Sequence, residues 1–211
     1  MINSATTPAT CHYLTKRQLN DPHKVFIDFY HFFSPSRIKK FIDRWMKALY
    51  KEKSWTKSSP ADFLFYYDQI IPLVEASYII SQSDHTKRAS ILNEDEHTHA
   101  QLMNPDLYCL SKNTNESWDY FPRSLTKKEF INPYRVINKF FKNYSLSNWR
   151  KKLHNILHIA LSSDKLDESG DIVNVYEIKK HLDKLVDASH LIYVREYTFL
   201  DTTITSEETI R

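Results

Sequence analysis

The chain has 211 residues, of which 41% are hydrophobic and 25 are Phe or Tyr, so it can bury a core and is not a disordered tail. Its single glycine, Gly170, excludes a Rossmann fingerprint, a P-loop and a GxSxG nucleophile elbow, and argues against a β-rich fold, where turns and bulges draw on glycine. A net charge of +3 names no partner by itself.

Residues 1–12 are small and polar and read as a loose terminus, without the basic start and apolar run of a secretory leader. Cys11 and Cys109 lie far apart with no CxxC spacing and are expected as reduced thiols. No window of 18 apolar residues occurs; Ile70 to Ile80 comes nearest and is interrupted by Pro72 and Glu75. A soluble, cytoplasmic chain with no membrane contact is expected.

From Leu14 the sequence repeats itself. A shift of 111 residues lays Leu125–Ala160 on Leu14–Leu49 without a gap, with 9 identities in 36 positions. Thr15-Lys-Arg-Gln18 and Thr126-Lys-Lys-Glu129 both have capping-box spacing, and each opens a short turn stopped by Pro22 or Pro133. Asp21 or Asn132 is then expected as N-cap of a first full helix, with the proline at its first position. That helix shows Val25, Phe26, Phe29, Tyr30 and Phe33 at helical spacing, answered by Val136, Ile137, Phe140, Phe141 and Tyr144. A second helix, expected to be capped by Ser36 or Ser147, buries Ile38, Ile42, Trp45, Met46 and Leu49 in one half, and Trp149, Leu153, Ile156, Leu157 and Ala160 in the other.

Loops are expected at Glu52–Ser59 and Ser162–Asp171. In a third helix Leu73-Val-Glu-Ala-Ser-Tyr-Ile-Ile80 matches Leu185-Val-Asp-Ala-Ser-His-Leu-Ile192 at five of eight positions, the offset now being 112. Ser59-Pro60 supplies cap and first position for the first copy, and Pro72 is expected to kink or break it. Between the copies, residues 83–123 show no clear period; a helix over Lys87–Met103 and a turn at Asn113–Glu116 are the expectations there. Tyr197–Ile204 favours an extended state by composition.

Charge follows the same division. Residues 13–82 and 124–194 each carry +4, the spacer 83–123 carries −3 and the tail 195–211 carries −2. The expected architecture is all-α: an internally duplicated three-helix unit, copy 1 at 13–82 and copy 2 at 124–194, packed as one pseudo-symmetric helical body with an acidic, polar spacer at 83–123 and a tail at 195–211. Each unit is too small for an ample core of its own, so the copies are expected to share one.

Motifs that carry chemistry are weak throughout. His154 and His158 are four apart on a helix, with His181, His190 and Asp187 in the same copy, which is a zinc-like donor set. Copy 1 has Asp43, Lys47, Gln69 and Tyr78 in place of those histidines, and the HExxH glutamate is absent, so solvated or hydrogen-bonded histidines are expected and no metal. Glu94-Asp-Glu-His97-Thr-His99 holds overlapping ExxH patterns but occurs once, in the spacer, without the partner glutamates of a di-iron bundle. Glu75 and Asp187 are acidic in both copies; if they faced each other one carboxyl would be raised, and the plainer expectation is an exposed or lysine-paired side chain. Arg17 and His23 have a spacing seen in some helical RNases, but copy 2 has Lys128 and Tyr134 there.

No catalytic residue and no cofactor is expected. The leading expectation is a non-enzymatic repeat module with a protein partner, using Tyr66, Tyr67 and Tyr78, which exceed what one buried helix face needs. The alternative is a DNA- or RNA-binding accessory protein using the second helix of each copy: Lys39, Lys40, Arg44 and Lys47, with Arg150 and Lys151. No helix-turn-helix or zinc finger stands behind it.

Overall fold

Each half opens on a capping box. Thr15 accepts the Gln18 N–H while the Gln18 side chain accepts from Thr15, and Thr126 and Glu129 do the same. In a computed structural model, residues 11–49, 59–83, 90–92, 102–110, 117–162 and 175–208 are described, with side chains of the last segment to 196. The helices are α1 Lys16–Asn20, α2 His23–Phe32, α3 Pro35–Ala48, α4 Pro60–Ser81, α5 Ser117–Tyr120, α6 Lys127–Ile131, α7 Tyr134–Asn143, α8 Leu146–Leu161 and α9 Val175–Glu208, with a 3₁₀ turn at Pro105–Leu107. Among the described residues there is no strand, and the fold is all-α with packed helices.

Several local expectations need correcting. Ser34 and Ser145, not Ser36 and Ser147, cap α3 and α8, accepting from the N–H groups of Arg37 and Asn148. Pro35 takes the first helical position, which needs no donor. The caps of α2 and α7 are Pro22 and Pro133, one residue later than expected, although the Asn132 side chain still accepts the Tyr134 N–H at 3.1 Å. Pro72 does not break α4, which runs through it from Pro60 to Ser81. The segment expected to be extended, Tyr197–Ile204, is helical: α9 runs to Glu208, and no proline or glycine follows Gly170 to stop it. The loops expected at Glu52–Ser59 and Ser162–Asp171, apart from Ser59 and Ser162, and the turn at Asn113–Glu116 lie outside the described residues. So does most of the expected Lys87–Met103 helix, within which residues 90–92 are turn and bend, not helix.

One large core spans both halves. It includes Phe26, Ile38, Ile42, Trp45, Phe63 and Leu73 together with Ile137, Phe140, Trp149, Leu153, Leu185 and Ile192. Burying one such large side chain is worth about 1.5–3 kcal/mol. The packing crosses between halves: α3 lies along α9, α4 along α8, α2 touches α9 and α4 touches α7. Both buried indoles find acceptors, as a buried N–H must. Trp45 Nε1 donates to the Ile156 carbonyl at 3.3 Å, and Trp149 Nε1 donates to that of Phe140 at 2.9 Å.

The acidic segment between the halves has its own core. Leu102, Tyr108 and Cys109 pack with Phe130, Ile131 and Leu191. Arg195 holds this region, donating to the carbonyls of Leu107, Ser90 and Phe130 at 3.1, 3.0 and 2.8 Å and lying over the Phe130 ring at 4.6 Å. Burial pushes this guanidinium down to about 9. No helix among the described residues is long and apolar enough to cross a membrane.

Candidate nucleic-acid interface

The six basic residues picked out along the second helices do three different things. Lys39 and Arg150 are structural. Lys39 Nζ meets the buried Asp187 carboxylate at 2.6 Å, and Arg150 pairs with the buried Glu75 carboxylate. Each carboxylate also accepts a backbone N–H at 2.9 Å, Asp187 from Ser124 and Glu75 from Tyr13. These carboxylates are therefore neither exposed nor facing one another; each is held by a cation from the other half. Lys47 reaches Asp43 at 2.7 Å in an exposed i,i+4 pair worth a few tenths of a kcal/mol. Lys151 is exposed on α8.

Lys40 and Arg44 differ from the rest. Both are exposed on α3, and with Lys39 they line a cleft of about 340 Å³ whose other wall is Trp118, Phe121 and Arg123, with Lys179 from α9. Ser36, Asp43 and Asp119 complete the lining. The helical period explains the set, since 36, 40, 43 and 44 fall on one side of α3, away from the buried stripe of Ile38, Ile42 and Trp45. Trp118 is 62% exposed, with its ring tilted against Phe121 at 6.2 Å. Arg123 donates to the Trp118 carbonyl at 3.3 Å, which ties the cation to the aromatic wall.

A second cleft of about 260 Å³ shares Lys179 and continues over Ser124, Tyr176, Lys180, Asp183 and Lys184. Tyr176 is 70% exposed. Lys179 is paired with Asp183 and Lys184 with the buried Glu129, both at 2.6 Å. Burial would raise the Glu129 carboxyl, but hydrogen bonds from Lys184 and from the Thr126 N–H and hydroxyl outweigh it and hold it at about 2. Among the described residues, Lys40, Arg44, Arg123 and Lys180 have no carboxylate in ion-pair reach. The two clefts adjoin in sharing Lys179 as a lining residue, and this two-part groove carries unneutralised positive charge and an exposed aromatic ring in each part.

The tyrosines do not form one exposed surface. Tyr67 is buried against Trp45, ring centroids 6.0 Å apart. Tyr66 is half-buried, stacked on Phe41 at 4.5 Å, and its hydroxyl accepts from Arg37 Nε. Tyr78 is half-buried against Phe141 at 5.3 Å. The helix that carries them is surrounded on more than one face, which accounts for the surplus of aromatic residues.

The histidines scatter. His154 and His158 are exposed with rings 4.5 Å apart, His181 packs on Phe140 and Trp149, and His190 is buried beside Tyr30 and Tyr120. Burial lowers the His181 pKa, and it lowers that of His190, with help from the Lys39 charge, to about 3. No cluster of three metal-ligating side chains occurs among the described residues, and Glu94–His99 lies outside them. Arg17 is exposed, while His23 lies 3.4 Å from the Tyr134 hydroxyl in a polar group with Ser90 and Glu196.

Compared with protein families, with curated proteins and with solved structures, the chain shows no significant match. Its chemistry therefore has to be read from its own residues. Sequence reasoning reached Lys40 and Arg44 but missed Trp118, Arg123, Tyr176, Lys179 and Lys180. The signals were an aromatic–basic run, Trp118-Asp-Tyr-Phe-Pro-Arg123, inside a net acidic spacer, and a Lys-Lys pair where α9 begins.

Proposed function

We propose that the chain is a non-enzymatic helical module, internally duplicated, that binds nucleic acid in the groove between α3, α5 and α9. The observation that carries this is Lys40 and Arg44 beside Arg123 in a cleft walled by an exposed tryptophan. Unpaired cations attract a phosphate backbone, and their counterions are released on binding. The duplication is supported by matched contacts. Lys39 and Arg150 are paired at an offset of 111, Glu75 and Asp187 at 112, and each pair exchanges partners with the other. Tyr30 against His190 is likewise answered by Phe141 against Tyr78.

The test is fluorescence anisotropy with short labelled oligonucleotides at low and near-physiological salt. The protein should bind at both, and Lys40→Glu combined with Arg44→Glu and Lys180→Glu should abolish binding. Lys151→Glu, outside the groove, should leave it within twofold. Absence of binding at low salt, or equal loss in the Lys151 variant, contradicts the proposal.

A protein partner is the second reading. It is favoured by Phe32, Leu64 and Phe65, which are 70%, 41% and 53% exposed on α2 and α4. Partner capture that survives Phe32→Ala and Phe65→Ala, or alanine at Tyr66 and Tyr78, would remove those surfaces.

A further inference from the structure

We infer that the groove takes single-stranded nucleic acid and holds it by stacking bases on Trp118 and Tyr176. This inference rests on the nucleic-acid reading above and adds the strand state and the aromatic contacts. Both rings are among the most exposed large hydrophobic side chains of the described residues, at 62% and 70%. An exposed tryptophan costs apolar hydration, and here it stands beside cations instead of within an apolar patch.

A duplex meets such rings only at the cost of unstacking a base step, because its bases already stack on one another and present their edges in the grooves. Helix α3 cannot act as a recognition helix. Its basic side lines a cleft together with Trp118, Phe121 and Lys179 of α9, so it forms part of a cleft wall and does not stand free. An unpaired strand meets both constraints. Its phosphates can run past Lys40, Arg44, Arg123 and Lys180 while its bases turn onto the aromatic faces, the combination that single-strand binders use. The clefts, about 340 and 260 Å³, share Lys179 in their linings, so a strand running past this residue would meet both rings. Stacking on rings without edge hydrogen bonds discriminates weakly between bases, so little sequence preference is expected, and DNA and RNA strands should both bind.

The experiment uses the full chain with oligothymidylate, oligouridylate and a blunt-ended DNA hairpin of matched charge. Affinity is read by anisotropy and stacking by tryptophan emission. Of the four tryptophans, Trp45 and Trp149 are fully buried and Trp55 lies outside the described residues, so the part of the quenching that disappears in Trp118→Ala reports the exposed ring. The single strands should bind at least tenfold more tightly than the hairpin and quench the emission. Trp118→Ala should weaken single-strand binding about tenfold, within the range measured for one stacked base, and Trp118→Phe should recover most of it. Because Trp118 lies on the surface, an unchanged circular dichroism spectrum is expected in both variants. Equal affinity for strand and hairpin, with Trp118→Ala silent but the Lys40, Arg44 and Lys180 charge reversals effective, would overturn the stacking inference and leave the groove a general polyanion site. No binding of any probe at low salt would overturn both.

Discussion

His190 and its counterpart show how one position can carry different chemistry in the two halves. Tyr78, which aligns with His190 at an offset of 112, packs on Phe141, while His190 packs on Tyr30 and Tyr120 with Lys39 nearby. Burial, and then the Lys39 charge, hold the imidazole down to about 3. In the unfolded chain it titrates near 6.5. Between these values the unfolded state binds a proton that the folded state does not. Stability is therefore whole above pH 6.5 and falls as pH drops, by up to about 1.4 kcal/mol per pH unit. Replacing His190 by Tyr removes this site of titration. The difference in urea-unfolding free energy between pH 7 and pH 5 should shrink by about 2 kcal/mol in the variant; an unchanged pH dependence would show that His190 is not buried as a neutral ring. Glu129 acts in a lower window. Held at about 2, it contributes fully above about 4.5 and loses that contribution as pH falls towards 2.

Between elements, the crossed ion pairs decide how helices meet. Lys39 joins α3 to α9 through Asp187, which is 1% exposed. Lys39→Met leaves that carboxylate buried with only its hydrogen bond from Ser124, at a cost of about 3–5 kcal/mol. Lys40→Met, one residue along but exposed, should change stability by less than about 0.5 kcal/mol. Urea denaturation of the two variants makes the comparison, and equal effects would contradict the assignment. This pair also marks what sequence can reveal. Capping boxes at Thr15 and Thr126, the cap at Ser59 and the buried stripes of α3 and α8 were legible, because they depend on residues within a turn or two. Which lysine reaches a carboxylate 148 residues away was not, since Lys39 and Lys40 differ only by 100° around one helix. The burial of Glu75 was hidden for the same reason: its partner, Arg150, lies 75 residues away on α8.

On the scale of the whole molecule, the groove exists only because three distant segments converge: α3, the Ser117–Arg123 stretch and the start of α9. The spacer, net acidic and without a period, concealed the aromatic wall that makes a basic strip into a cleft. Lys151, the basic residue of α8 aligned with Lys40, is absent from the linings of both clefts. The most direct test of binding in this groove is the salt dependence of affinity for a single strand. Each phosphate contact contributes about 0.7 to the slope of log affinity against log salt concentration. Lys40→Met with Arg44→Met should reduce the slope by about 1.4, while Lys151→Met leaves it unchanged. A slope indifferent to Lys40 and Arg44, or one that falls when Lys151 is replaced, would contradict binding in the groove.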